Sequence, residues 1–404
     1  MTKLLAEFSL ILGLFGLLTS GVFGAMVLVA AWRFRHRALT ASAPANFTPP
    51  VSLLKPLHGA EPKLAEHLAT FFTQDYPAYE ILFCARHADD AGLATAREVA
   101  AKFPHIPVQF FTVGEPTVPN AKTLSLDRMA RAAQHEILII SDSDVRVAPD
   151  YIRSVAAAFA DPKVGAATCL YRGVTVEGGL WSRLEATGMS IEMTAGVLVA
   201  EMLEGMKFTL GPTMAVRRES LEKIGGFLPM GDYCADDFLL GNWVAELGRT
   251  VILSPHIIDH MILHADFWPS MRHQARWMKS TRFSRPKGHF GTVLTFCVPF
   301  GILAALAALA LHRPALAVAA LAWSIVSRAL IAAAVSQWVL SEPSPWQSVF
   351  LYPLRDAMGF LFWLASYGSR AILWRGEVYI LQPGGRMVRA GAAANKAKKT
   401  KNPQ

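Results

Sequence analysis

Charge is scarce in this 404-residue chain. Asp, Glu, Lys and Arg together make up 17% of it, against about 25% in soluble enzymes. The shortage is local, because long apolar runs sit towards the two ends while the middle reads as an ordinary globular domain. Cysteine is sparse too: Cys84, Cys169, Cys234 and Cys297 stand alone. With no C-x-x-C pair, neither a disulfide framework nor a structural zinc site is implied. Reduced thiols suit a domain facing the cytosol. Acidic residues are outnumbered by basic ones, 31 to 39, for a formal net charge of +8. The basic residues cluster beside apolar segments and in the tail, the pattern of an anionic membrane surface. No nucleic-acid module accompanies them, so a nucleic-acid partner is not expected.

Phe8 to Trp32 is a nearly continuous apolar run with no internal charge, and a membrane-spanning helix needs about 20 such residues. A cleaved signal peptide has a shorter apolar core. Arg33, Arg35, His36 and Arg37 follow at once, and the positive-inside rule puts what comes next in the cytosol. The basic flank and an Ala/Pro/Ser linker occupy residues 33–50. Strand and helix patterns then alternate. Val51–Lys55, Tyr79–Cys84, Val108–Val113 and Glu136–Ser141 read as buried strands, and Pro62–Thr73, Ala91–Phe103, Lys122–Ala133 and Pro149–Ala160 as the helices between them. Such alternation predicts a largely parallel sheet covered on both faces, with ligands bound beyond the carboxyl ends of the strands. This domain is expected over residues 51–265.

Residues 266–290 mix Phe267, Trp268, Met271 and Phe283 with Arg272, Lys279, Arg282 and Lys287, which suits an interfacial helix against headgroups. Membrane helices are expected over 291–374. Gly291–Leu311, with Pro299 as a kink site, and Pro314–Leu340 are each long enough to span, and Arg328 inside the second marks a function or a partner. If Met358–Trp374 spanned as well, the basic tail at 375–404 would lie opposite the catalytic domain, against the positive-inside rule. That third stretch is therefore the one expected to be re-entrant or interfacial.

The strongest chemical signal is Ser141-Asp142-Ser143-Asp144, directly after the apolar run Ile137–Ile140. Two carboxylates one residue apart at a strand end can hold Mg²⁺ or Mn²⁺, hard cations that prefer oxygen and bridge diphosphates to protein. Metal there would neutralise a diphosphate leaving group. Asp and Ser also favour turns. Asp236-Asp237, after a Gly-rich loop and before an apolar helix, is a candidate base for an attacking hydroxyl, or a helix-dipole partner. His273-Gln274-Ala275-Arg276-Trp277 places Arg276 where it can offset phosphate charge. Asp89-Asp90 after the second strand suits a nucleotide contact or a polar turn. His256, His260 and His264 are four apart, but their segment reads as strand rather than helix, which disfavours zinc and leaves one of them within possible reach of Asp142/Asp144.

Taken together, these residues resemble the ceramide glucosyltransferase family, including its hopanoid-associated bacterial members. The likeness runs from about Val51 to Gly385. It includes Ser52-Leu53-Leu54-Lys55-Pro56-Leu57-His58-Gly59, Phe71-Phe72-Thr73-Gln74-Asp75-Tyr76-Pro77, Asp142-Ser143-Asp144-Val145-Arg146-Val147 and Trp374-Arg375-Gly376. The resemblance implies an α/β GT-A (Rossmann-like) nucleotide-sugar domain flanked by transmembrane α-helices. It implies a divalent metal cofactor (Mn or Mg), a UDP-sugar donor, a lipid acceptor (ceramide or a hopanoid), and an integral membrane protein working on the cytosolic face, in a bacterial inner membrane. By the same resemblance Asp90 contacts the uridine, Asp142 the donor and, with Asp144, the metal. Asp237 acts as base with Asp236 beside it, and Arg276 and Trp277 belong to the donor set. The family's Q/R-x-x-R-W signature falls on His273–Trp277, where His273 departs from Gln or Arg; Arg272, one residue earlier, is a possible substitute. UDP-glucose with ceramide is the expected pair. UDP-N-acetylglucosamine with a hopanoid polyol is the alternative, and a processive polysaccharide synthase is disfavoured by the few spans.

Overall fold

The computed structural model describes residues 3–40, 47–263, 265–374 and 376–391. They form two compact units. The α/β unit takes in 40–176, 204–263 and the segment from Ala371, while the helical unit takes in the chain to Leu39, Glu177–Leu203 and 264–370.

In the α/β unit the strands are rich in Val, Ile, Leu and Phe, and those in the middle of the sheet are largely buried, as expected of strands covered on both faces. The strands are β1 (Val51–Pro56), β2 (Tyr79–Ala85), β3 (Val108–Thr112), β4 (Ile137–Ile140), β5 (Val145–Arg146), β6 (Val164–Thr175), β7 (Met214–Arg217) and β8 (Thr250–Ile262). Their order is β3-β2-β1-β4-β7-β6-β8-β5. The first four run parallel. β7 is antiparallel to both its neighbours, and β6 and β8 are parallel over a long register interrupted near Cys169. Helices Ala91–Ala100 and Ala121–Ala132 follow β2 and β3. This mixed sheet with its crossover helices is the GT-A arrangement that the resemblance implies. A second sheet, β9 (Ala371–Trp374), β10 (Glu377–Leu381) and β11 (Met387–Arg389), is an antiparallel meander. All four cysteines are buried and none is in a disulfide.

Among the described residues the helical unit holds three helices long and apolar enough to cross a membrane: Lys3–Thr40, Leu180–Glu204 and Pro314–Val339. Pro286–Thr295 and Val298–Ala310 form a fourth candidate, bent by 47°. The bend has a local cause. Pro299 opens the second half, and Asp356 accepts the N–H groups of Cys297 and Val298 at 2.9 and 2.8 Å. It thereby caps a helix start that membrane could not satisfy. Arg328, buried, pairs with Asp356 at 3.2 Å and donates to the carbonyls of Thr295 and Ser20 at 3.1 and 3.3 Å. The Lys3–Thr40 helix presents glycines to its neighbours: a Cβ on Gly13 would lie 2.8 Å from Ala304, and one on Gly16 would lie 2.0 Å from the Phe300 ring.

Several sequence boundaries are corrected. The first helix does not stop at Trp32 but runs to Thr40, because the basic flank continues it and Arg37 is paired with Glu201 at 2.7 Å. Leu180–Glu204, placed by sequence inside the catalytic domain, belongs with the helices. Arg183, Glu185 and Glu192 interrupt its apolar pattern, but Glu192 is taken by Arg355 at 3.0 Å. The expected run Met358–Trp374 divides into the end of a helix, Trp346–Ser366, and strand β9. The span expected over Gly291–Leu311 is broken at Phe296–Cys297. Part of the expected tail is not tail: Val378-Tyr379-Ile380-Leu381, a β-branched and aromatic stretch, makes β10. Arg375 and the lysines at 396–401 lie outside the described residues.

Candidate active site

The carboxylates read from the sequence converge at the carboxyl end of β4. Asp142 and Asp144 follow β4 directly, and Asp236 and Asp237 open the Asp236–Glu246 helix. Lys122, in the first turn of the Ala121–Ala132 helix, lies between them, 2.6 Å from Asp142 Oδ1 and 3.7 Å from Asp236 Oδ2. Burial pulls its pKa down, but the charges of Asp142 and Asp236 outweigh that and hold it above the ordinary lysine value. Asn120 caps that helix and also donates Nδ2 to Asp236 Oδ1 at 3.0 Å.

Asp237 is held by two backbone donors. Oδ1 accepts the N–H of Phe238 at 2.8 Å, and Oδ2 accepts that of Gly211 at 3.0 Å. Thr209 Oγ1 donates to its carbonyl at 2.7 Å. Gly211 is a spacer: a Cβ there would lie 3.2 Å from Asp237 Oδ2 and 3.7 Å from Asp142 Oδ2. Burial first, and the neighbouring Asp236 second, push Asp237 up to about 6. Asp144 behaves oppositely. Burial would raise it, but His260, with Nε2 at 3.3 Å, and Lys55 outweigh burial and bring it down to about 2. Two carboxylates in one site thus have their proton affinities driven apart, which is how acid–base roles are separated.

Lys55 and Glu61 are residues that the motif reading did not single out. Lys55 is fully buried, donates Nζ to the Asp142 carbonyl at 2.6 Å and lies 3.7 Å over the Phe71 ring. Burial lowers it to about 7 against the pull of Asp142. Its signal was a lone lysine in an otherwise apolar strand. Burial and Asp144 raise Glu61 to about 7. Lys122, Asn120 and Gly211 carried no such signal, since a capping Asn, a first-turn Lys and a loop Gly are common everywhere. His260 lies against Asp144 as one of the sequence's histidine options. His256 instead faces Asp150 at 3.6 Å, and His264 lies outside the described residues.

Asp90 is at the carboxyl end of β2 and caps the Ala91–Ala100 helix, accepting from Gly92 and Leu93, and from Gly59 across the β1 loop at 3.0 Å. A small cleft lined by Leu57, His58, Arg86, Val113, Pro116 and Ser125 lies at the ends of β1, β2 and β3. Arg272, His273, Arg276 and Trp277 belong to the helical unit, on the Phe267–Ser284 helix. There His273 Nδ1 lies 2.6 Å from the buried Glu185, and its ring lies 4.3 Å from that of Trp277.

Among the described residues no three His, Cys, Asp or Glu side chains converge as a metal cage. Asp142 and Asp144 nevertheless fit a Mg²⁺-class ion, which is commonly held by one or two carboxylates plus substrate phosphates. Asp144 Oδ1 is buried without a hydrogen-bond partner, as is Glu61 Oε2 nearby in the charge network. Hard oxygen donors left open in this way suit a hard cation.

Comparison with known proteins matches residues 14–387 to glycosyl transferase family 21. Ceramide glucosyltransferase 1 of Caenorhabditis elegans is 23% identical over 361 residues, 88% of this chain and 76% of that protein. Ceramide glucosyltransferase 3 of the same organism is 23% identical, with 88% and 77% covered. Among solved structures, a mannosyltransferase of Pyrobaculum calidifontis in complex with GDP-Man and Mn²⁺ is similar at 20% identity, over 87% of this chain and 99% of that one, with a TM-score of 0.46. TarS 1–349 of S. aureus in complex with UDP-GlcNAc is similar at 14% identity, over 84% and 99%, with a TM-score of 0.40.

Proposed function

From the premise that this chain belongs to glycosyl transferase family 21 and is a ceramide glucosyltransferase-like glycosyltransferase, we propose that it moves glucose from UDP-glucose to the primary hydroxyl of ceramide. The reaction takes place at the cytosolic face of a membrane. The observation that carries the reading is Asp237: a carboxylate fixed by two backbone donors, pushed up to about 6, facing Asp142 across Gly211. A general base works best with a pKa near the operating pH, and two of its lone pairs are already committed to orientation. The acceptor hydroxyl hands its proton to Asp237 as its oxygen attacks the anomeric carbon. The bond from that carbon to the diphosphate breaks in the same displacement, inverting the centre, and UDP departs.

Asp142 and Asp144 would hold the divalent cation, Mn²⁺ or Mg²⁺, whose chemistry when bound is charge neutralisation of the diphosphate. Lys122 adds fixed positive charge between Asp142 and Asp236. Lys55 holds the Asp142 backbone, so the carboxylate leaves β4 in one direction. Asp90 stands beyond β2, at the strand ends where such sheets bind ligands, and its contact with the nucleoside rests on the family resemblance. The donor roles of Arg276 and Trp277 rest on the family resemblance, and Arg276→Ala is expected to raise the KM for the donor. The cytosolic assignment is supported by Arg33, Arg35, His36 and Arg37 on the first helix.

The test is UDP release by purified, detergent-solubilised protein. UDP-glucose or UDP-N-acetylglucosamine is offered with ceramide or a hopanoid polyol, with Mn²⁺ or EDTA. Release is expected with UDP-glucose, ceramide and Mn²⁺, and is lost with EDTA or in Asp237→Asn. Preference for the other donor and acceptor would replace the substrates while keeping the chemistry. Lipid-dependent release that survives in Asp237→Asn would overturn the base.

A further inference from the structure

The C-terminal meander ends close to the catalytic carboxylates in an informative way. The turn joining β10 to β11 is tight, with Gly385 N–H on the Gln382 carbonyl at 3.0 Å and Gln382 N–H on the Arg386 carbonyl at 2.8 Å. Gly384 and Gly385 take φ of 80° and 82°, a region that side chains other than glycine enter at a cost. This turn is docked on the chain immediately before Asp236. Cys234 N–H donates to the Gly385 carbonyl at 3.0 Å, Tyr233 and Arg386 form an antiparallel bridge, and Arg386 Nη2 meets Asp232 Oδ2 at 2.6 Å. Asn120 holds the same stretch, donating its backbone N–H to Gly231 O at 2.8 Å and Nδ2 to Tyr233 O at 3.1 Å.

We propose that the meander is a positioning clamp for the catalytic loop. It fixes Gly231–Ala235 and, through them, the direction in which Asp236 and Asp237 enter the site. The clamp rests on the reading of Asp237 as base. Apart from the short turn Leu228–Asp232, the segment leading to Asp236 has no regular structure of its own, so outside contacts must define its path. The Asp232–Arg386 pair is exposed on both sides, 40% and 55%, and such pairs contribute little alone. The backbone bond to Cys234 and the strand-like bridge carry more of the restraint. Misplacing a catalytic group by about 1 Å costs on the order of 100-fold in rate, so a loosened loop reads out in turnover.

Two glycines give a matched experiment. Gly384 and Gly376 both sit at hairpin ends of the meander, have φ of 80° and 81°, and have open space where a Cβ would go. Gly384 belongs to the docked turn; Gly376 is at the β9–β10 end. Gly384→Ala combined with Arg386→Ala, and Gly376→Ala alone, are compared with the wild-type full chain. The readouts are kcat and KM for UDP-glucose with ceramide, and hydrogen exchange of peptides covering residues 231–237. The first variant is expected to lose roughly 10- to 100-fold in kcat, with donor KM little changed and faster exchange at Cys234. Gly376→Ala is expected to do neither. Unchanged exchange in the first variant would overturn the clamp. Faster exchange with unchanged kcat would overturn its catalytic role, and equal losses in both variants would show general destabilisation instead. If the wild-type chain showed no lipid-dependent turnover, the reading of Asp237 would fall and the catalytic role with it. The exchange comparison separates that failure from a meander that does not hold the loop.

Discussion

Both units bury charge, and they use it differently. In the helical unit the buried charges face one another: Arg328 is matched to Asp356, Arg355 to Glu192 and Glu185 to His273. Asp356 also closes the start of a broken helix. In the α/β unit Asp142, Asp236 and Asp237 surround Lys122 while Asp144 lies against His260 and in the field of Lys55, and Asp144 Oδ1 and Asp236 Oδ2 are buried without hydrogen-bond partners. Charges of the first kind complete each other across helices. The second kind brings like charges together and leaves carboxylate oxygens open to a cation. Buried atoms without hydrogen-bond partners occur in both units, Glu192 Oε2, Arg328 Nε and Arg355 Nε among the helices included. What separates the two is sign, since the helical pairs match opposite charges one to one while the α/β cluster gathers carboxylates, the arrangement that shifts proton affinities and suits a cation.

That contrast can be broken by substitution. Asp237→Asn should cut transfer by about 10³-fold, the middle of the range for general bases, while leaving melting behaviour and donor binding close to wild type. A comparable loss of donor binding would move Asp237 out of the chemistry. Next in size, Arg328→Ala should destabilise the helical unit by about 3–5 kcal/mol, since it strands a buried carboxylate. The double change Arg328→Met with Asp356→Asn, which keeps an acceptor for the Cys297 and Val298 N–H groups, should recover part of it, read as the yield and melting point of monodisperse protein in detergent. If the single and double variants were alike, the pair would not be architecture. Smaller again is the pH effect. Asp237 must be unprotonated to act, and its pKa is raised to about 6. Turnover is therefore present above that value and falls as pH drops through it, about tenfold per unit once well below. An acid limb near 4, the ordinary carboxylate range, would remove the argument from burial.

Much of the catalytic half was legible in the sequence, since the strand runs Val51–Lys55, Tyr79–Cys84 and Ile137–Ile140 are mostly apolar and the acidic pairs follow strands or open helices. The β6–β8 pairing was not legible, because it joins residues some 90 apart and depends on tertiary contact rather than on local pattern. Lys122 was hidden for the same reason: its significance lies in what β4 and the Asp236–Glu246 helix bring to it. In the other half, hydropathy located the first helix but not its end, because Arg and His residues are good enough helix formers to extend it. Leu180–Glu204 escaped because charges that are paired in the fold look like breaks in an apolar run. The β9–β11 meander escaped because short strands beside a basic terminus resemble a tail.

The glycine face of the first helix changes what that helix is. A generic anchor needs only length and greasiness, and any such sequence can replace it. A helix whose bare backbone meets Ala304 and the Phe300 ring at Gly13 and Gly16 is keyed to one neighbour by shape. An exchanged anchor of equal hydrophobicity should therefore still enter a bilayer yet fail to seat, which makes the apparently most interchangeable segment of the chain one of its least interchangeable parts.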